Sequence, residues 1–295
     1  MLDSKQCEAF FAVAETGSFD LASEQLCITA SAVTQRVQAL EKNLGQILLI
    51  RARPCSLTKA GIEVLAFLRH ARLLEQNLLH NLHGEIDSNF YTVSIASNAD
   101  SLATWLLPAL SEILIKERIV LDIKLDDQSH TYSLLEKGIV NACISIEPKA
   151  MTGCRSIFLG SMQYKMLATP IFIEKYFKSG ISREQLKQTP AIIFNDKDQI
   201  HFDAILKLFG LVKGTYPCSF IPSSDSFVSA IEQSLGYGVI PTIQVQSAIA
   251  SGKLVEILPE ACINIPLYWH HWNKQTVKLE QLTEHLLLQT KKLLF

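Results

Sequence analysis

The chain has 295 residues, 48 % of them hydrophobic, with 27 basic against 29 acidic side chains and a formal charge of −2. That length exceeds one ordinary domain and supplies apolar side chains for more than one core. The near balance of charge excludes a protein that holds nucleic acid by its overall charge, and no apolar run approaches a membrane span.

The N-terminal MLDSKQCEAFF lacks the basic start and long apolar core of a secretory signal, so a soluble cytoplasmic protein is expected. Residues 18–45, SFDLASEQLCITASAVTQRVQALEKNLG, read as two short helices joined by a tight turn. In the second helix Val33, Val37, Leu40 and Leu44 form one apolar stripe that must turn inward. The opposite face carries Ser31, Thr34, Gln35 and Gln38 with Arg36 beside them, donors and acceptors of the kind a major-groove helix presents to base edges. Thr29 is placed to cap that helix, and Leu21, Ala22, Leu26 and Ile28 supply the apolar side of the preceding one. This pattern predicts a DNA-binding helix-turn-helix; an amphipathic hairpin with a solvated polar face is the alternative.

After Gly45 the run ILLIRARPCSLTKAG predicts a strand, a turn with Pro54, a second short strand and a helix start at Thr58. Such a wing would set Arg51 and Arg53 against phosphates. Residues 31–61 hold five basic side chains (Arg36, Lys42, Arg51, Arg53, Lys59) against Glu41, whereas residues 1–30 hold Lys5 against five acids. The positive charge is therefore local, and useful affinity requires an oligomer that multiplies the phosphate contacts. Residues 58–87 supply a long helix bearing Ile62, Leu65, Leu68, Leu73, Leu79 and Leu82, with a stop at Gly84. Its destination is a partner helix from a second chain or its own domain.

From Tyr91 the texture changes. YTVSIAS, VLDIKLDD, NACISIE, AIIFN, PCSFI and YGVIP read as buried strands, with helices near 100–117, 131–138, 171–178, 200–209 and 225–235. The alternation predicts an α/β region on largely parallel sheets, divided into two lobes.

The helix-turn-helix, the IRARPCSLTKAG wing, the long helix and the two-lobed remainder together resemble a LysR-type transcriptional regulator over the full length. NADSLATWLLPAL, CITASAVTQR, SSDSFV and LYWH further resemble its lysine/arginine-responsive branch, which controls basic amino-acid export and is also described as an inhibitor of chromosome initiation. The resemblance implies an α+β chain: a winged helix-turn-helix over 1–60, a linker and dimerisation helix over 58–88, and a periplasmic-binding-protein-like effector domain over 91–295. In the last, lobe I takes 91–160 plus 265–295 and lobe II takes 165–260. It also implies promoter DNA and a copy of the same chain, in a dimer or tetramer, as partners, with RNA polymerase a further candidate, and lysine or arginine as effector. No cofactor is implied.

The residues allow that effector on their own chemistry. Asn98, Asp100 and Ser101 open a helix after the first strand, where amides and the Ser101 hydroxyl would receive a carboxylate and Asp100 an ammonium. Asp127 (with Asp126) ends the second strand, Ser145 lies in the third, and Ser224 and Asp225 sit at another strand-to-helix junction. Three acidic clusters at strand ends suit a cationic ligand, and each singly is also turn or cap chemistry. Relatives of the branch commonly carry Glu where this chain has Asp225, which leaves open the preference between lysine and arginine.

Cys7, Cys27, Cys55, Cys143, Cys154, Cys218 and Cys262 form no C-x-x-C pair, so reduced thiols are expected, with Cys27 and Cys143 as small core residues. His270 and His271 are adjacent on a strand and face opposite sides, which disfavours a shared metal. The lone GYG at 236–238 is too short for a nucleotide loop, and no G-x-S-x-G elbow occurs. No catalytic residue is assigned. An architectural DNA-binding protein without metabolite response is the rival reading, and an amino-acid-processing enzyme fused to a DNA-binding head is a more remote one.

Overall fold

The structure, a computed structural model, describes residues 2–83, 90–127, 130–259 and 261–294. The chain divides into two compact units, Met1–Asn89 with Ser133–Asn141 and Phe90–Tyr132 with Ala142–Phe295.

In the first unit α1 (Ser4–Thr16) begins at Asp3, whose carboxylate accepts from the Gln6 amide at 2.9 Å. Then come α2 (Phe19–Gln25), α3 (Ala30–Leu44), a wing of β1 (Leu49–Ile50) and β2 (Ser56–Leu57), and α4 (Lys59–His83). The Thr29 hydroxyl accepts from the Ala32 amide and starts α3 after a turn that holds Cys27 at φ 53°. Val33, Val37 and Leu40 turn inward as their spacing requires and meet Phe10, Val13, Ala22 and Leu65 in one core.

Two expectations fail here. Leu21 is exposed beside the buried Ala22, whereas Leu26 and Ile28, just past the end of α2, pack against the core as expected. Cys27 is exposed rather than core, since the left-handed turn carries it to the surface. In α4, Leu65 is buried and Leu68 packs beside it, while Ile62, Phe67 and Leu74 are exposed. The stop expected at Gly84, and the side chains of Leu73, Leu79 and Leu82, lie outside the described residues.

The second unit runs β3 (Tyr91–Ser97), α5 (Ala99–Ser101), a π-helical turn (Leu102–Leu106), α6 (Leu107–Lys116), β4 (Ile119–Leu125), α7 (Thr131–Glu136), which crosses the unit boundary, β5 (Ala142–Ser145) and β6 (Cys154–Ala168). It continues through α8 (Pro170–Tyr176), α9 (Arg183–Leu186), β7 (Ala191–Ile193), α10 (Gln199–Phe209), β8 (Cys218–Phe220), α11 (Ser224–Glu232) and β9 (Gly238–Pro241). It ends with α12 (Gln246–Ala250), β10 (Val255–Glu256), β11 (Cys262–Trp272) and α13 (Val277–Leu293). The π-helical turn has a local cause: Pro108 has no amide to donate to the preceding turn, and one widened turn accommodates the loss.

The main sheet has the order β10-β6-β11-β5-β3-β4, with β9 also on β6. The expectation of largely parallel sheets is corrected. β3 pairs in parallel with β4 and β5, but β6 and β11 are antiparallel to each other, and β5, β9 and β10 join them antiparallel. The strand Cys154–Ala168 is absent from the sequence expectation: Gly160 and a register shift opposite Leu267/Tyr268 interrupt its first half, although residues 161–166 alternate polar and apolar. One core cluster packs Val93, Ile95, Trp105, Leu110 and Trp269 with residues of α6 and α13; another gathers Phe172, Phe177, Ile193, Ile205 and Tyr237.

His270 and His271 are both buried and bonded to backbone carbonyls, of Glu147 and Trp272 respectively. The GYG run is a packing feature. A Cβ on Gly236 would lie 2.8 Å from the Pro190 carbonyl oxygen, and one on Gly238 would lie 2.5 Å from Ile231 Cδ1.

The tightest approach is in the first unit, where a Cβ on Gly61 would come 2.1 Å from the Leu48 carbonyl oxygen. Thr58 locks this corner, donating through its amide to Leu48 O and through its hydroxyl to Ile47 O. Gly61→Ala is expected to lower the stability of the N-terminal unit by about 2 kcal/mol or more, read from its urea midpoint. An unchanged midpoint would refute the close approach.

Candidate functional site

Two surfaces carry chemistry. On the first unit Ser31, Gln35 and Gln38 are exposed along one face of α3, opposite its buried stripe. Thr34 is half-buried and its hydroxyl donates back to the Ala30 carbonyl at 2.9 Å, so it is less available than the spacing suggested. Arg36 is half-buried beside them. Arg51 and Arg53 are exposed on the wing. The Arg51 guanidinium lies 3.6 Å from Glu41 and over the Phe19 ring, which fixes its stem near α3. Glu41 holds the wing as well, accepting from the Leu48 and Leu49 amides at 2.9 and 3.3 Å.

The second surface is a cavity of about 670 Å³ in the second unit, walled by the start of α5, the end of β4, the β7–α10 loop and the crossing strand β6. Asn98, Asp100 and Asp127 line it. The hydroxyl of Ser224, at the start of α11, donates to Asp100 Oδ1 at 3.3 Å, and its oxygen is also 3.2 Å from Gln244 Oε1. The Tyr164 hydroxyl donates to Asp100 Oδ2 at 2.9 Å. Asp100 thus opens on the cavity while protein encloses the rest of it. Burial pushes its carboxyl up, the two hydroxyls pull it partly back, and Asp127 adds to the rise.

Asp198, the N-cap of α10, faces the same space. Its carboxyl is pushed up to about 6, first by burial, against the pull of the His201 and Phe194 amides it accepts from, and further by Asp100 and Asp127. Carboxylates from three separate elements therefore feel one another across the cavity. Two effects compete there: burial makes Asp100 and Asp198 resist ionising, and a cation placed among the acids relieves that resistance.

Four expected residues do not line the cavity; Ser224 reaches it only through Asp100, and three others not at all. Ser101 is fully buried and its hydroxyl donates toward Met162 Sδ at 3.7 Å, because the helix turn that exposes Asp100 rotates the next residue into the core. Ser145 is fully buried on β5 and its hydroxyl accepts from the Glu147 amide at 3.2 Å. Asp225 is exposed in the first turn of α11; with Phe227 on the cavity side and Ser224 reaching Asp100, the Asp225 side chain points elsewhere. Sequence reasoning missed Tyr164, which lies on the unread strand β6, and also Lys197, Asp198 and Asp203. The last three follow AIIFN in the run NDKDQIHFD, and the strand-end rule applied to the other acids would have found them.

Residues 4–62 match the family of bacterial regulatory helix-turn-helix proteins of the lysR type, and residues 89–290 match the LysR substrate binding domain. The chain is 38 % identical over 286 residues to the HTH-type transcriptional regulator ArgP of Photobacterium profundum, covering 97 % of this chain and 96 % of that protein. It is 36 % identical over 293 residues to ArgP of Vibrio cholerae, covering 99 % and 98 %. Among solved structures it is similar to ArgP from Mycobacterium tuberculosis, with a TM-score of 0.87, 31 % identity and coverage of 100 % and 99 %. It is also similar to full-length LysG from Corynebacterium glutamicum with bound effector Arg, with a TM-score of 0.82, 31 % identity and coverage of 99 % of each chain. Both the DNA-reading unit and the cavity-bearing unit are thus accounted for by one family, and this chain belongs to the LysR family of bacterial transcriptional regulators.

Proposed function

We propose that the cavity takes a basic amino acid, arginine or lysine, and that its occupancy sets the affinity of the protein for promoter DNA in the cytoplasm. The observation that carries this reading is the meeting of Asp100, Asp127 and Asp198 around one space, a wall that attracts cations and repels acidic metabolites. The arginine bound to the similar LysG supports it. An architectural protein has no use for such a cavity.

In this reading residues 1–60 read DNA, residues 58–88 join two copies of the chain, and residues 91–295 sense the effector. Lobe I comprises 91–160 with 265–295, and lobe II comprises 165–260. Ser31, Gln35, Gln38 and Arg36 meet base edges, Arg51 and Arg53 meet phosphates, and Thr34 shapes the helix from inside. Asn98, Asp100, Asp127 and Ser224 hold the ligand. Ligand between the lobes changes their angle and thereby the spacing of the reading heads in the oligomer, to the extent that it prefers one arrangement.

Thermal unfolding tests the effector directly. Arginine or lysine, but not leucine, raises the midpoint, with about 2.7 kcal/mol of stabilisation at a hundredfold excess over the dissociation constant. Equal behaviour of all three contradicts the assignment.

Asp100→Asn separates binding from stability. As pH rises past about 4 an unfolded aspartate loses its proton while the enclosed Asp100 keeps its own, so the parent loses stability until the folded carboxyl also ionises. Asparagine has no such proton and can still accept from Tyr164. The ligand-free variant is therefore more stable than the parent at pH 7, the gain vanishes below about pH 4, and arginine affinity falls about tenfold or more. A stability difference independent of pH would contradict the burial of this carboxyl.

A further inference from the structure

We infer that Lys197 receives the carboxylate of the bound amino acid and makes the cavity select amino acids over their decarboxylated, doubly cationic counterparts. This rests on the basic-amino-acid reading above and adds to it the group that sets specificity. The cavity wall holds six aspartates, Asp100, Asp126, Asp127, Asp196, Asp198 and Asp203, and among the described residues one basic side chain, Lys197. A wall of carboxylates without a cation would bind agmatine or a diamine at least as well as arginine, because its neutral amides alone offer a ligand carboxylate no opposite charge. One ammonium in that wall changes the balance twice: it offers the carboxylate a charge-assisted partner, and it repels the second cation of a ligand that lacks one.

The position of Lys197 is fixed by its neighbours. Its amide donates to Asn195 Oδ1 at 2.8 Å, and on its other side Asp198 accepts from the Phe194 amide at 3.3 Å and the His201 amide at 3.1 Å. The β7–α10 loop is thus closed on itself, and the stem of Lys197 leaves from a set backbone. Two lysines near the same loop and strand are engaged elsewhere: Lys213 donates to the Asp196 carbonyl, and Lys165 is paired with Glu256. The Lys197 ammonium has no ion pair among the described residues, which leaves it available to a ligand.

The test uses calorimetric titration of the full chain with arginine and with agmatine, which is arginine without its carboxylate, for the parent, Lys197→Met and Lys197→Arg. The parent prefers arginine; Lys197→Met loses about tenfold in arginine affinity and binds agmatine as well as or better than the parent; Lys197→Arg keeps the preference. Matching ligand-free melting midpoints show that the variants are folded. If Lys197→Met weakens both ligands equally, or neither, the assignment of Lys197 is overturned while the effector reading stands. If the parent binds neither arginine nor lysine, both fall.

Discussion

One antiparallel pairing, β6 against β11, carries the effector-sensing unit. Cys262 faces Lys165 at one end and Trp272 faces Cys154 at the other, so the pair spans the length of the sheet. β5, β3 and β4 are added beyond β11, and β9 and β10 are added on the second half of β6. The cavity wall depends on this arrangement: β6 presents Tyr164 to Asp100 between the acids that come from either side. The register shift at Leu267/Tyr268, with Gly160 at φ 131°, is the irregularity in this pairing.

Within that frame the cavity is held in an unfavourable electrostatic state. Burial raises Asp100 and Asp198, and their mutual repulsion with Asp127 raises Asp198 further. Hydrogen bonds from Tyr164 and Ser224, and from the Phe194 and His201 amides, offset part of that cost and hold the carboxylates in place. Such a site gains most from a ligand that brings positive charge, which is how cation binding can yield energy for a change of conformation.

The DNA-reading unit was legible because its signals are local. The stripe Val33, Val37, Leu40 depends on a 3.6-residue period, and the Thr29 cap on one hydroxyl and one amide three residues on. Where tertiary packing decides, the sequence was silent. Leu21 looks apolar enough for a core, but one helical step from the buried Ala22 it faces outward. Ser101 and Asp100 are adjacent and chemically plausible ligands alike, and the rotation of one helical step separates a cavity residue from a core residue. Tyr164 stands in SMQYKM, a strictly alternating polar and apolar run that the strand rule would have found. Gly61 and Gly238 stand in short motifs whose glycines are required by neighbours distant in sequence or by a facing helix, Leu48 and Ile231.

The central claim is that the acidic cavity and the α3 face are thermodynamically coupled. Its most direct test is the affinity of the full-length protein for a DNA fragment selected by the protein itself, measured by fluorescence anisotropy at fixed salt with and without saturating arginine. The account predicts a changed DNA dissociation constant, and an arginine affinity that changes by the same factor when that DNA is present. Arginine that fills the cavity and leaves DNA affinity unchanged would contradict it.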